Sequence, residues 1–201
     1  MSEVYSRLNP SPRYLELIKM YEHMHEHGHN VEIDGEIKFM PPKSAFNNSE
    51  PMEILDEIEE FVKSIGCETL FDYGAGKGES FRTPEVLRKL GLATMSCWDP
   101  AVSGIQEFPF GIKQDCVLCT DVLEHIPVQD IPWVLDEIFS IANKAVYLTI
   151  TTSPSYALMP DGTNAHCSAM TPEWWSTTVS AALKRSNKPI KLCVKTYYGR
   201  H

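Results

Sequence analysis

No stretch of the 201-residue chain approaches the roughly 18 consecutive apolar residues that a membrane-spanning helix needs. The opening residues, MSEVYSRLNPSPRY, lack the basic-then-apolar pattern of a secretory signal, so a cytoplasmic setting with no membrane partner is expected. Basic charge is also scarce: 18 Lys and Arg against 27 Asp and Glu leave a formal charge of −9. That sign argues against broad, sequence-blind binding of DNA or RNA, where neutralising phosphates supplies most of the affinity. There is no internal repeat and no low-complexity tract.

What is present is ordinary for a globular protein. The 43% hydrophobic and 22% charged content supports one buried core without a disulfide or metal staple. The six cysteines are read as thiols in a reducing compartment. Cys116 and Cys119 form a C-x-x-C, but they lie in the apolar run CVLC, which reads as a buried strand. Residues three apart on a strand point to opposite faces, so these two do not chelate one ion.

Segment 13–27 places Leu15, Ile18, Tyr21 and Met24 near helical spacing after Pro10-Ser11-Pro12, and segment 31–49 reads as irregular. Residues 1–49 are therefore expected to be a helix plus an irregular stretch, acting as a lid in which Tyr14, Tyr21 or Phe46 touches substrate. Residues 50–65 form a strong amphipathic helix ending at Gly66. Beyond it, short apolar strands at 69–73, 94–98, 116–120, 146–150 and 191–198 alternate with helices near 80–90, 130–142 and 174–183. This alternation predicts an α/β domain over 50–201, with a mostly parallel sheet covered by helices on both faces. Ligands of such sheets sit beyond the carboxyl ends of the strands, where Asp72, Asp99, Asp121 and Thr151-Thr152-Ser153 fall.

The first of these strands runs into Asp72-Tyr73-Gly74-Ala75-Gly76-Lys77-Gly78. The dinucleotide fingerprint needs a third glycine where Glu79 stands, and the G-K-[ST] ending of a phosphate loop is absent. A glutamate there also opposes a pyrophosphate at a helix N-terminus. An acidic residue two positions before G-x-G-x-G resembles motif I of class I S-adenosylmethionine (SAM)-dependent methyltransferases, and the resemblance extends over roughly residues 50–185. It implies a compact Rossmann-like methyltransferase fold with SAM as cofactor and S-adenosylhomocysteine as product. By the same resemblance Asp72 reaches the cofactor's amino group, Gly74 and Gly76 leave room for its methionine and ribose portions, and Asp99 accepts from the ribose hydroxyls. Thr120, at the end of the third strand, is placed on the cofactor wall with them. The plainer alternative is that Asp72 and Asp99 serve turns or caps. Lys77 reads as an exposed loop lysine or as a partner of the SAM carboxylate. Only residues 100–114 separate Asp99 from the next strand, too few for a full crossover unit. The fold is therefore expected to be shortened around the usual third strand and at the C-terminus, and no adenine-contacting residue is assigned.

Asp121-Val122-Leu123-Glu124-His125 follows the third strand. Were it a helical turn, Asp121, Glu124 and His125 would share one face at i, i+3 and i+4, a donor set suited to Mg2+ or Mn2+. The long connector 152–170 contains His166, eight residues before Trp174. This pattern is similar to metal-assisted O-methyltransferases, including those of ubiquinone biosynthesis and those that modify the 3′-terminal 2′-hydroxyl of small RNAs. That similarity implies His166 as a fourth metal ligand; in metal-free relatives the histidine of the Glu-His pair only packs or orients. Without metal, His125 or His166 serves as general base. The expected activity is methylation of a small-molecule or carbohydrate hydroxyl. An RNA ribose methyltransferase and a non-catalytic SAM-fold binding protein are the alternatives. His23, His25, His27 and His29 read as a solvated helix end, and Trp174-Trp175 as core packing.

Overall fold

The computed structural model describes residues 4–43, 50–79 and 81–199. Its centre is a five-stranded sheet of β3 (Thr69–Tyr73), β4 (Thr94–Trp98), β5 (Gln114–Thr120), β6 (Ala142–Thr151) and β8 (Lys191–Tyr197), in the order β4-β3-β5-β6-β8. Every neighbouring pair in this sheet is parallel. Parallel strands need both faces covered, and the side chains divide accordingly. Leu70, Cys116, Leu118 and Tyr147 pack with Ile58 and Val62 of α3 (Leu55–Ile65) and Val86 and Leu90 of α4 (Pro84–Leu90). Phe71, Val117, Cys119 and Leu148 pack with Val134 and Ile138 of α5 (Ile131–Ile141) and Trp175 and Val179 of α6 (Pro172–Ser186). Cys116 and Cys119 thus sit in opposite layers, as the strand period requires. Trp175 is a core residue.

From β3 the chain first moves outward to β4 through α4, then returns to β5 and proceeds the other way through α5 and α6. Right-handed crossovers taken in opposite directions place the helices on opposite faces. The order therefore reverses between β3 and β5, and their carboxyl ends open a crevice there. Residues 99–113 join β4 to β5 without a helix or strand, which matches the short spacing read from the sequence. At the other edge, β8 pairs in parallel with β6 and closes the sheet. The helix expected over 50–65 breaks at Ile54 (φ −111°) into α2 (Glu50–Glu53) and α3.

The N-terminal segment is more ordered than its sequence suggested. Helix α1 (Pro12–His27) is capped by Ser11, whose hydroxyl accepts from the Tyr14 N–H, and it ends at Gly28. Strands β1 (His29–Ile33) and β2 (Glu36–Met40) follow as a hairpin inside the stretch read as irregular. Its two-residue turn is Asp34 (φ 52°) and Gly35 (φ 78°), the doubly left-handed conformation that matches strand twist. β7 (Ala157–Leu158), from the connector 152–170, adds to the other edge of β1. Leu15 is half exposed, while Tyr14, Leu17 and Met24 are buried, so the inner stripe is rotated from the expected one. Phe46 and Asn47-Asn48-Ser49 lie outside the described residues.

Two polar anchors fasten this segment to the sheet domain. The buried Asp130 accepts from the Ser11 N–H (3.0 Å), the Ser11 hydroxyl (2.5 Å) and the Trp133 indole N–H (2.8 Å). Arg7 pairs with Glu137, donates to the Tyr73 hydroxyl at 3.0 Å, and lies 4.3 Å from the ring centroids of both Trp98 and Phe108. Asp130→Ala leaves buried donors without an acceptor and is expected to lower the unfolding free energy by about 3 kcal/mol, read from urea denaturation. The exposed Arg13–Asp161 pair gives the contrast, because removing Arg13 should change stability by less than ~1 kcal/mol.

Candidate functional site

The glycine turn after β3 is locked onto the end of β4. Gly74 (φ 77°) and Ala75 both donate their N–H to the Trp98 carbonyl, at 2.8 and 3.1 Å. Gly76 (φ 50°) donates to Asp99 Oδ2 at 2.8 Å, and Ala101 donates to Asp99 Oδ1 at 2.8 Å. Asp99 is thus a clasp between the turn and the next loop, and burial pushes its carboxyl above the usual range. An ionised carboxylate offers about four acceptor positions, so two remain for a ligand. A Cβ on Gly74 would lie 2.6 Å from Val122 Cγ2, so this glycine makes room for Val122 across the crevice while it also lines the cavity above. Lys77 donates to the Pro42 carbonyl and ties the turn to the segment after β2; it is not the loosely solvated lysine expected.

Above the crevice is a cavity of about 700 Å³, within the range of roughly 300–1,000 Å³ typical of small-molecule sites. Gly74, Gly76, Asp99, Thr120, Asp121, His125 and His166 line it. Asp72 is 1% exposed and lies behind the wall, so the structure does not bring its carboxylate to the cavity surface. The roof comes from the N-terminal segment and the connector: Tyr14, Leu17, Ile18, Tyr21 and His25 of α1, His29, Val31 and Ile33 of β1, and Tyr156 and Ala157. His25 and His29 therefore face the cavity, which corrects the reading of all four histidines as solvated. The His23 and His27 rings lie 4.4 Å apart, tilted by 43°. The missed signal is the alternation His29-Val31-Ile33 running into Asp34-Gly35.

One aromatic cluster draws on three distant parts of the chain. The Tyr21 hydroxyl is 2.7 Å from His125 Nδ1, and both lie 3.1 Å from the Ala165 carbonyl. A carbonyl only accepts; with the Tyr21 hydroxyl donating to the Ala165 carbonyl, His125 donates from Nδ1 and keeps Nε2 as its basic nitrogen. Burial, then the neighbouring His166, hold the His125 pKa at about 3, so its imidazole is neutral at pH 7. His166 meets His125 edge-on at 4.7 Å, and its Nδ1 is 2.7 Å from the Ser153 carbonyl. The same reasoning places the His166 proton on Nδ1 and its basic lone pair on Nε2.

The expected cation site does not form. Asp121 is held at φ 50°, and only Leu123–His125 form a single 3-10 turn, so the assumed i, i+3, i+4 face does not exist. Glu124 is turned inward, where its Oε1 accepts from the Thr151 N–H at 2.6 Å and its Oε2 has no hydrogen-bond partner among the described residues. Asp121 Oδ1 accepts from the Thr151 hydroxyl at 3.2 Å. Among the described residues no three His, Cys, Asp or Glu side chains converge as metal ligands, so Asp121, Glu124, His125 and His166 do not fit a Mg2+ or Mn2+ ion as placed. Burial first, and the Asp121 charge second, raise the Glu124 pKa well above 4.5. A raised folded pKa gives stability that is complete below the unfolded value and is lost as pH rises. Glu124→Gln is therefore expected to melt with the parent near pH 4.5 and above it at pH 8. Loss of stability on acidification from buried neutral histidines is common to both proteins and cancels in this comparison.

The charge of the cavity wall is one-sided. Asp99, Asp121 and Glu53 line it, whereas no described lysine or arginine does. Burial lowers the pKa of His25 to about 4, so that imidazole adds no positive charge at neutral pH.

No family model matches the chain, and no curated protein matches it. Among solved structures it is similar to an O-methyltransferase family protein from Burkholderia thailandensis, at 16% identity and a TM-score of 0.48. The match covers 72% of this chain and 54% of that one, so the chain spans about half the length of this neighbour. Among the described residues no helix is long and apolar enough to cross a membrane.

Proposed function

We propose that the chain is a class I SAM-dependent methyltransferase that methylates an oxygen of a small molecule held beneath the N-terminal cap. The observation that supports this best is the Gly76–Asp99 junction, a glycine turn hydrogen-bonded to a strand-end carboxylate at the wall of a cavity without lining cations. Doubly wound sheets host many cofactors, so the choice rests on this chemistry and not on strand order. Phosphates need facing N–H groups or cations; here Asp99, Asp121 and Glu53 oppose them. A sulfonium donor, whose sulfonium and ammonium groups outweigh its single carboxylate, brings a complementary net charge. Asp99 accepts from its ribose hydroxyls, while Gly76 and Thr120 border it. The same lack of cations counts against an RNA ribose as acceptor.

When bound, the donor supplies a methyl group whose departure returns the bonding pair to sulfur. The chain's own part is to hold the acceptor oxygen in line and remove its proton. His166 takes that proton on Nε2, since the Ser153 carbonyl fixes the hydrogen on Nδ1. His125, with its low pKa, is a poor base at neutral pH and orients His166 by edge-on packing. Calorimetric titration of the purified chain with SAM and with S-adenosylhomocysteine tests the reading. Saturable binding of both supports it; no heat and no melting shift with either at millimolar concentration overturns it.

A further inference from the structure

The methyltransferase reading leaves the acceptor unnamed, and the two halves of the cavity wall differ in chemistry. The sheet side carries the polar groups already described. The roof is built from two elements whose different periods both turn apolar groups inward. Leu17, Ile18 and Tyr21 follow helical spacing on α1, and Val31 and Ile33 alternate on β1. The polar groups among them are the hydroxyls of Tyr14, Tyr21 and Tyr156, of which Tyr21 already donates to the Ala165 carbonyl, and the imidazoles of His25 and His29, both with pKa values lowered by burial.

We infer that the acceptor is an uncharged, largely apolar alcohol or phenol, rather than a sugar, a carboxylated ring or a polynucleotide; this rests on the methyltransferase reading. The aliphatic and aromatic faces of this roof reward a ring or alkyl body in proportion to the apolar area it removes from water. A sugar brings several hydroxyls under the same roof, and those without partners lose their water uncompensated. A carboxylate or phosphate on the acceptor shares the wall with Asp121 and Glu53, and no described lysine or arginine lines that wall to receive it. A mostly apolar wall with discrete polar groups is the pattern by which a pocket fixes the orientation of an apolar ligand through one or two hydrogen bonds. His166 supplies such a bond to the single hydroxyl.

The test uses the full chain and three probes: 2-naphthol, 6-hydroxy-2-naphthoate and methyl β-glucoside. Each is titrated calorimetrically in the presence and absence of S-adenosylhomocysteine. The expected order is 2-naphthol at least tenfold tighter than its carboxylated analogue, with no saturable binding of the glucoside. A glucoside or naphthoate that binds as tightly as naphthol overturns the inference. So does the absence of naphthol binding at millimolar concentration while S-adenosylhomocysteine binds. If neither SAM nor S-adenosylhomocysteine binds but naphthol keeps its preference, the methyltransferase reading falls and the selectivity of the wall stands. Ile33 is 36% exposed at the end of β1, so Ile33→Lys adds a cation to the roof without opening the core. It is expected to shift the naphthol-to-naphthoate affinity ratio at least tenfold toward the carboxylate, at unchanged melting temperature and SAM affinity. An unchanged ratio overturns the placement of the acceptor under this roof.

Discussion

Asp99→Asn is expected to weaken the binding of both SAM and S-adenosylhomocysteine about 100-fold in calorimetric titration. Hydrogen bonds to a charged acceptor are worth roughly 1.5–3 kcal/mol each, and two vicinal hydroxyls make two of them. At about 1.4 kcal/mol per tenfold, even the lower figure gives two decades. The substitution also places an amide where the Gly76 and Ala101 N–H groups now find carboxylate oxygens, so part of the loss comes from a loosened glycine turn. Thermal melting separates the two contributions. A fall in melting temperature with unchanged affinity would make Asp99 a clasp alone, and the ribose role would be lost. Equal losses for both ligands are expected because they share the ribose and differ only at sulfur.

Asp99 also illustrates what was legible in the sequence. Its position at the end of an apolar strand, a short step beyond a glycine turn, is a local pattern, and the structure places it at the crevice. The parallel strands were legible for the same reason: continuous apolar runs such as Cys116–Thr120 have no solvent face to alternate with. The inward stripe of α3 was equally plain, although Ile54 interrupts the helix that precedes it. Segment 31–49 was not legible because its signal is divided. Val31 and Ile33 alternate with charged residues, and so do Ile37 and Phe39, but each run is short, the latter two are exposed, and β7 is only Ala157–Leu158.

The cation site failed for a different physical reason. Three donors at i, i+3 and i+4 share a face only if the backbone is α-helical from the first of them. Asp121 is instead left-handed, between a β5 carboxyl end and a 3-10 turn, and its N–H is already held by the Thr149 carbonyl at 3.0 Å. That geometry sends Glu124 into the core beside Thr151. A non-glycine residue at positive φ costs on the order of 1–3 kcal/mol, and such strain concentrates at functional sites. No sequence rule reports it. The pairing of His125 with His166 and Tyr21 is likewise invisible to spacing, because it joins residues 41 and 104 positions apart across three elements.

His166→Ala is expected to reduce turnover 100- to 10,000-fold, the usual range for a lost general base, with SAM affinity changed less than twofold. The separation follows from the geometry: His166 belongs to the connector 152–170 and touches Ser153 and His125, while the proposed cofactor wall is made by the β3 and β4 ends. The pH profile discriminates further. In the parent chain, turnover rises with pH as the base loses its proton, and that limb should vanish in His166→Ala. His125→Asn is expected to reduce turnover less and to keep the limb, because an imidazole with a pKa of about 3 is already deprotonated throughout the working range. The Tyr21 hydroxyl, which burial holds far above its usual pKa, stays protonated and cannot substitute as base. A retained limb in His166→Ala together with its loss in His125→Asn would exchange the two roles. Equal collapse of SAM binding and turnover in His166→Ala would make the connector part of the cofactor site.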